Sequence, residues 1–124
     1  QLEHLYPIAT LLKAGVRVAA GSDCPVAPPN PLAGIYAAVS RMTETGEAVL
    51  PEERISPLEA IWMYTQNAAY ASFEDFLLRN IAPGKVADLV VLNADPMSLP
   101  AKGIKDLKVE MTIIGGDVMW RKEA

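Results

Sequence analysis

The chain has 124 residues, 51% of them hydrophobic and 21% charged, with a net charge of −4 from 15 acidic and 11 basic residues. That is the length of one ordinary domain and the composition of a globular one. The acidic balance, with no basic stripe, excludes nucleic acid as a partner, and no apolar run approaches the roughly 20 residues that span a bilayer. One cysteine, Cys24, excludes an internal disulfide, and one histidine, His4, excludes a self-contained histidine-rich metal site. Beginning at Gln1 with neither a basic region nor an apolar stretch, the chain is expected to be a processed or excised piece, in the cytoplasm.

Leu5, Ile8, Leu11 and Leu12 recur at helical spacing and predict a helix over 5–14, stopped by Gly15. Val16 to Ala20 is nearly all apolar and reads as a buried parallel strand, so a helix, a glycine turn and a strand follow one another as in α/β folds. Gly21 and Ser22 then allow a tight turn, and Asp23 follows where α/β folds place their chemistry, just past a strand's C-terminal end. Cys24 to Pro31 is too rich in proline for helix or central strand and is expected to loop over that end, beside a substrate pocket or as a rigid connector. Cys24 itself is expected to be a small buried filler, and Ser22 to shape the turn, since no histidine follows it to activate a nucleophile.

Asn30 caps a helix with Pro31 at its first position, and Leu32, Ile35, Val39 and Met42 form its apolar stripe as far as Thr45-Gly46. Ser56-Pro57-Leu58-Glu59 is a capping box that opens a helix with Leu58, Ile61, Trp62 and Thr65 inward. A second helix is expected from Ala68 to about Leu78. From Ile81 the period becomes two. Leu89 to Leu92 is a strand, and Val109–Ile114 and Asp117–Arg121 form a hairpin about Gly115-Gly116, with Trp120 anchoring the last strand. Residues 1–79 therefore read as α/β and 80–124 as a small β unit. Lys85 and Asp88 read as turn and strand-edge residues, and His4 as a surface or capping residue.

Four stretches, in order, resemble the C-terminal end of the amidohydrolase superfamily, family 3 (the YtcJ-like group, some of whose members are labelled exoenzyme-regulatory, AepA-like). They are Ala14–Val18 leading into Gly21–Val26, Thr65–Ala69, Ile81–Leu92, and Ile113–Val118. The resemblance implies a (β/α)8 barrel with a β-sandwich built from both chain ends. Residues 1–79 would then be the last strand and helices of the barrel, and 80–124 part of the sandwich. It also implies hydrolysis of non-peptide carbon–nitrogen bonds in a small-molecule substrate, by water held on a divalent metal such as zinc. Asp23 matches the family's metal-binding aspartate, which would also serve as general acid and base.

The family's His-x-His pair, bridging lysine or carboxylate, and two later histidines would all lie upstream of Gln1. The resemblance therefore implies that the chain alone is inactive and holds no metal, and that its unpaired strand edges favour a homo-oligomer. Two other classes compete: a regulatory or interaction protein on the same scaffold, and a purely structural domain.

Overall fold

A proline sets the start of the first helix. In the computed structural model, which describes residues 4–123, α1 spans Ile8–Lys13 rather than 5–14. Pro7, whose ring fixes φ, stands at its N-cap, and Tyr6 before it has φ +52°. Gly15 follows the helix at φ +81°, the left-handed conformation that ends helices.

Pro7 has no side chain to cap α1, and the cap comes from 43 residues away. Glu53, buried at the end of a 3-10 turn over Pro51–Glu53, accepts a hydrogen bond of 2.9 Å from the Thr10 N–H and another from the Thr10 hydroxyl. A carboxylate at a helix N-terminus satisfies orphan donors and meets the positive end of the dipole. These bonds, the Thr10 hydroxyl first, hold the Glu53 carboxyl below the ordinary glutamate value of 4.5 against the opposing effect of burial. Because the folded carboxyl is the stronger acid, its contribution is complete above the unfolded value. It is lost as pH falls through the folded one. Denaturant midpoints measured from about pH 7 down to about pH 3 should therefore fall more shallowly in Glu53→Gln than in the wild type. Equal slopes would remove Glu53 from the acid response.

Helix α2, Pro31–Ser40, begins as its sequence dictates: Asn30 accepts from Leu32 N–H at 3.1 Å, with Pro31 next. It ends at Ser40 rather than near Thr45, because Arg41 takes φ +54°. Thr43–Gly46 is instead a turn in which Met42 bridges back to Ala48. Ile35, Ala38 and Val39 carry the buried face.

Helix α3, Pro57–Tyr64, has both halves of its capping box, Glu59 N–H to Ser56 Oγ at 3.2 Å and Ser56 N–H to Glu59 Oε2 at 2.8 Å. Its buried face is Ala60 and Met63, whereas Leu58, Trp62 and Thr65 lie outward. The reason is α2. Gly34 lets Tyr64 pack so closely that a Cβ at position 34 would lie 2.8 Å from the ring's Cζ, and that contact sets the helix's rotation.

The helix expected over 68–78 is two, α4 at Gln66–Ala71 and α5 at Asp75–Leu78. Phe73, at φ +61°, breaks the run between them. Only Ala69 of the small residues in α4 is buried.

Three antiparallel strands follow, β1 (Leu89–Leu92), β2 (Val109–Ile114) and β3 (Asp117–Arg121), in that spatial order. Leu89 faces Ile113, and Thr112 faces Trp120. Gly115 and Gly116 take φ +60° and +95°, as a two-residue hairpin turn requires. Asp88 accepts from Gly115 N–H at 2.7 Å, and the Lys85 ammonium donates to the carbonyl of Phe76, so both are structural. Trp120 is 48% exposed on a strand whose every residue is exposed, and it stands across from Thr112 of β2 rather than in the buried cluster.

A helix that the sequence pattern does not announce, α6 (Ala101–Ile104), lies between β1 and β2 and packs on α2. Its Ile104 is fully buried and joins Leu107 with Ile35, Ala38, Val39, Ala60 and Met63 in one cluster.

Val16–Ala20 is not a strand, a correction to the sequence reading. A strand exists through its ladder, and among the described residues no strand lies beside this one. Its hydrogen bonds go to helices: Ala20 N–H donates to the Met63 carbonyl at 3.0 Å, and Asn67 Nδ2 donates to the Val18 carbonyl at 2.9 Å. Val18 and Ala20 are partly buried against the cluster, while Arg17 and Ala19 face outward.

Candidate functional site around Asp23

The clamped segment 16–20 leads through Gly21 and Ser22 to Asp23. Ser22 shapes the turn as expected: its hydroxyl accepts from the Cys24 N–H at 3.3 Å. The Asp23 carbonyl accepts from Val26 N–H at 2.8 Å and closes the next turn. Asp23 adopts φ +57°, left-handed for a residue other than glycine. Aspartate and asparagine are the side chains that visit this region most readily, and such outliers gather at sites where geometry serves function. The carboxylate is exposed, carried at the head of the Pro25–Pro31 loop.

Cys24 is exposed with a free thiol, so it is not the buried filler expected. The reason is the same one that leaves 16–20 without a partner strand: among the described residues the loop over 23–31 stays uncovered. His4 is exposed too, and stands apart.

Asp23 is alone. Among the described residues no three His, Cys, Asp or Glu side chains come together. A divalent cation takes four or more ligands, so one carboxylate can contribute to a metal centre but these residues do not form one. The chemistry open to Asp23 is that of a single anionic oxygen ligand or a proton carrier.

A groove of about 310 Å³ lies elsewhere and does not include Asp23. It lies between α1, the 16–20 segment and α3–α4, lined among others by Arg17, Trp62, Gln66, Tyr70 and Arg79. The Arg17 guanidinium stacks 4.2 Å from the centre of the Tyr70 ring, a cation–π contact on an open surface. Trp62, 40% exposed, lines this groove, whereas Tyr64 packs inside, where burial pushes its phenol above the ordinary value of 10.0.

Asn67 is the residue that sequence reasoning missed. It was legible as part of a motif, Thr65–Ala69, but its partner, the Val18 carbonyl, is 49 residues away.

Compared with known proteins, residues 1–119 match the model of the "Amidohydrolase family". The chain is 35% identical to the N-substituted formamide deformylase of Arthrobacter pascens over 122 residues, 97% of this chain and 22% of that protein. It is 33% identical to YtcJ of Bacillus subtilis (strain 168) over 116 residues, 91% of this chain and 22% of that one. An amidohydrolase from Thermotoga maritima MSB8 superposes with a TM-score of 0.69 at 28% identity, over 98% of this chain and 27% of the other. The chain thus spans about a fifth of the length of the curated relatives it matches.

Proposed function

This chain belongs to the amidohydrolase family, hydrolases of carbon–nitrogen bonds, and from that premise we propose that it is the C-terminal part of a metal-dependent amidohydrolase in which Asp23 serves the reaction. The observation that carries the reading is Asp23 itself. It is an exposed carboxylate in a conformation few residues adopt, at the end of a segment clamped to the helices.

In the longer protein, Asp23 supplies one oxygen to a divalent metal, zinc by preference, and the other ligands come from the part of the relatives' length outside this chain. When bound, the metal supplies a water whose pKa is lowered to about 7. With that water in place, the Asp23 carboxylate would be the group to take its proton and hand it to the leaving amine. The mixed α/β architecture is consistent with the end of a (β/α)8 barrel over 1–79, and the antiparallel sheet with part of a β-sandwich over 80–124. On this reading residues 16–20 become a strand once a barrel neighbour pairs with them. The chain on its own is inactive and associates with further copies through that edge.

N-formyl and N-acyl amines are the substrates to try first, since the N-substituted formamide deformylase of Arthrobacter pascens matches 97% of this chain. The longer protein should hydrolyse one of them, lose the activity to a chelator and regain it with Zn²⁺. Activity that survives complete removal of metal would overturn the proposal.

A further inference from the structure

Helix α3 stops at Tyr64 because Thr65 takes φ −126° and ψ −91°, which no helix accommodates, and α4 starts anew at Gln66. The break leaves the last carbonyls of α3 without intrahelical donors. Thr65 answers two of them, its N–H with Trp62 and its hydroxyl with Ile61 at 2.8 Å. The third, Met63, accepts from Ala20 N–H. The same break brings Asn67 forward, so that its amide donates to Val18.

In an extended chain the carbonyl of one residue and the N–H of the residue two further on point to the same side. Val18 and Ala20 therefore present one edge of their segment, and the α3–α4 joint answers it with a donor and an acceptor in the alternation that a neighbouring strand would offer. The two bonds end three residues before Asp23. We propose that Asn67 is a positioning residue for Asp23, holding one edge of segment 16–20 in place of a strand so that the Gly21-Ser22 turn aims the carboxylate. The inference rests on the functional reading of Asp23, but the clamp itself stands on geometry alone. Asn67 is suited to the task. Its amide supplies a donor without charge at a partly buried position, where a charged donor would be costly.

The test is amide hydrogen exchange by NMR on the 124-residue chain. Asn67→Asp keeps the shape and sets an oxygen against the Val18 carbonyl. The Ala20 amide should then exchange about tenfold faster, as expected for the loss of one part-buried hydrogen bond. Thr112 in the sheet should change by less than about twofold. The Asp23 Cα and carboxyl carbon shifts should move as well. Thr65→Val removes the hydroxyl bond to Ile61 at the same joint without touching the segment, so it should leave the Ala20 amide and the Asp23 shifts unchanged. Asn67→Gln, which restores a donor on a longer stem, should recover part of the protection. Equal acceleration at Ala20 and Thr112, or equal effects of Asn67→Asp and Thr65→Val, would reduce Asn67 to general stability and overturn the inference. A local response together with an Asp23→Asn enzyme of full activity would leave the clamp standing and refute the role of Asp23 that it serves.

Discussion

Asp23→Asn should lower kcat of the longer enzyme by about 10²- to 10⁴-fold, the range that positioned proton transfer contributes, with its thermal unfolding unchanged. Asparagine is the replacement that separates chemistry from fold. Residue 23 sits at φ +57°, where alanine would be strained by roughly 1–2 kcal/mol and could collapse the turn. Asparagine enters that region nearly as readily as aspartate. The Asp23 carbonyl still accepts from Val26, and the Ser22–Cys24 turn does not involve the side chain at all. What changes is one oxygen: an amide neither takes a proton at neutral pH nor ligates a metal as a charged group. A loss of activity at constant melting temperature therefore reports on the carboxylate. Turnover of the wild-type magnitude in Asp23→Asn would show that another group carries the proton, and the C–N hydrolase reading would have to place its acid and base elsewhere.

The turn at Asp23 was legible in the sequence, and so were the starts of α2 and α3, for one reason: all are local. Asn30-Pro31 and Ser56-Pro57-Leu58-Glu59 satisfy their helices' orphan N–H groups within three residues, and Gly115-Gly116 closes its hairpin with two. Nothing distant can overrule them. The 16–20 segment fails for the converse reason. Its apolar run states that it is to be buried and extended, but pairing needs a neighbour, and here the answering groups are Met63 and Asn67. The phase of α3 was misjudged on similar grounds. Ile61 packs on the core as expected, but Leu58, Trp62 and Thr65 satisfy helical spacing as well as Ala60 and Met63 do, and the contact with α2, where Tyr64 meets Gly34, favours the latter pair. Helix α6, four residues containing a glycine, is too short to show any period.

That unannounced helix holds the other large effect. Ile104→Ala should destabilise the chain by about 2–5 kcal/mol, a substantial share of the roughly 5–15 kcal/mol that holds a domain of this size. Two effects oppose each other at this site. Alanine is the better helix former, but only by about 0.7 kcal/mol at most. Against that, the side chain removed is the one large residue with no exposure among those described. It lies in the cluster built from α2 and α3, with Leu92, Leu99 and Ala101 packed on its border. Its loss opens a cavity that well-packed neighbours close only in part, so the cavity wins. Val26, 82% exposed on the loop after Asp23, is the control: Val26→Ala should stay within about 0.5 kcal/mol. Urea unfolding of both variants decides the matter. A similar small change in the two would mean that α6 does not dock on α2, and that residues 80–124 share no core with residues 1–79. A selective loss at Ile104 would show the sheet and the helices that clamp the Asp23 segment unfolding as one cooperative unit, held together through the residue between β1 and β2 that is buried deepest.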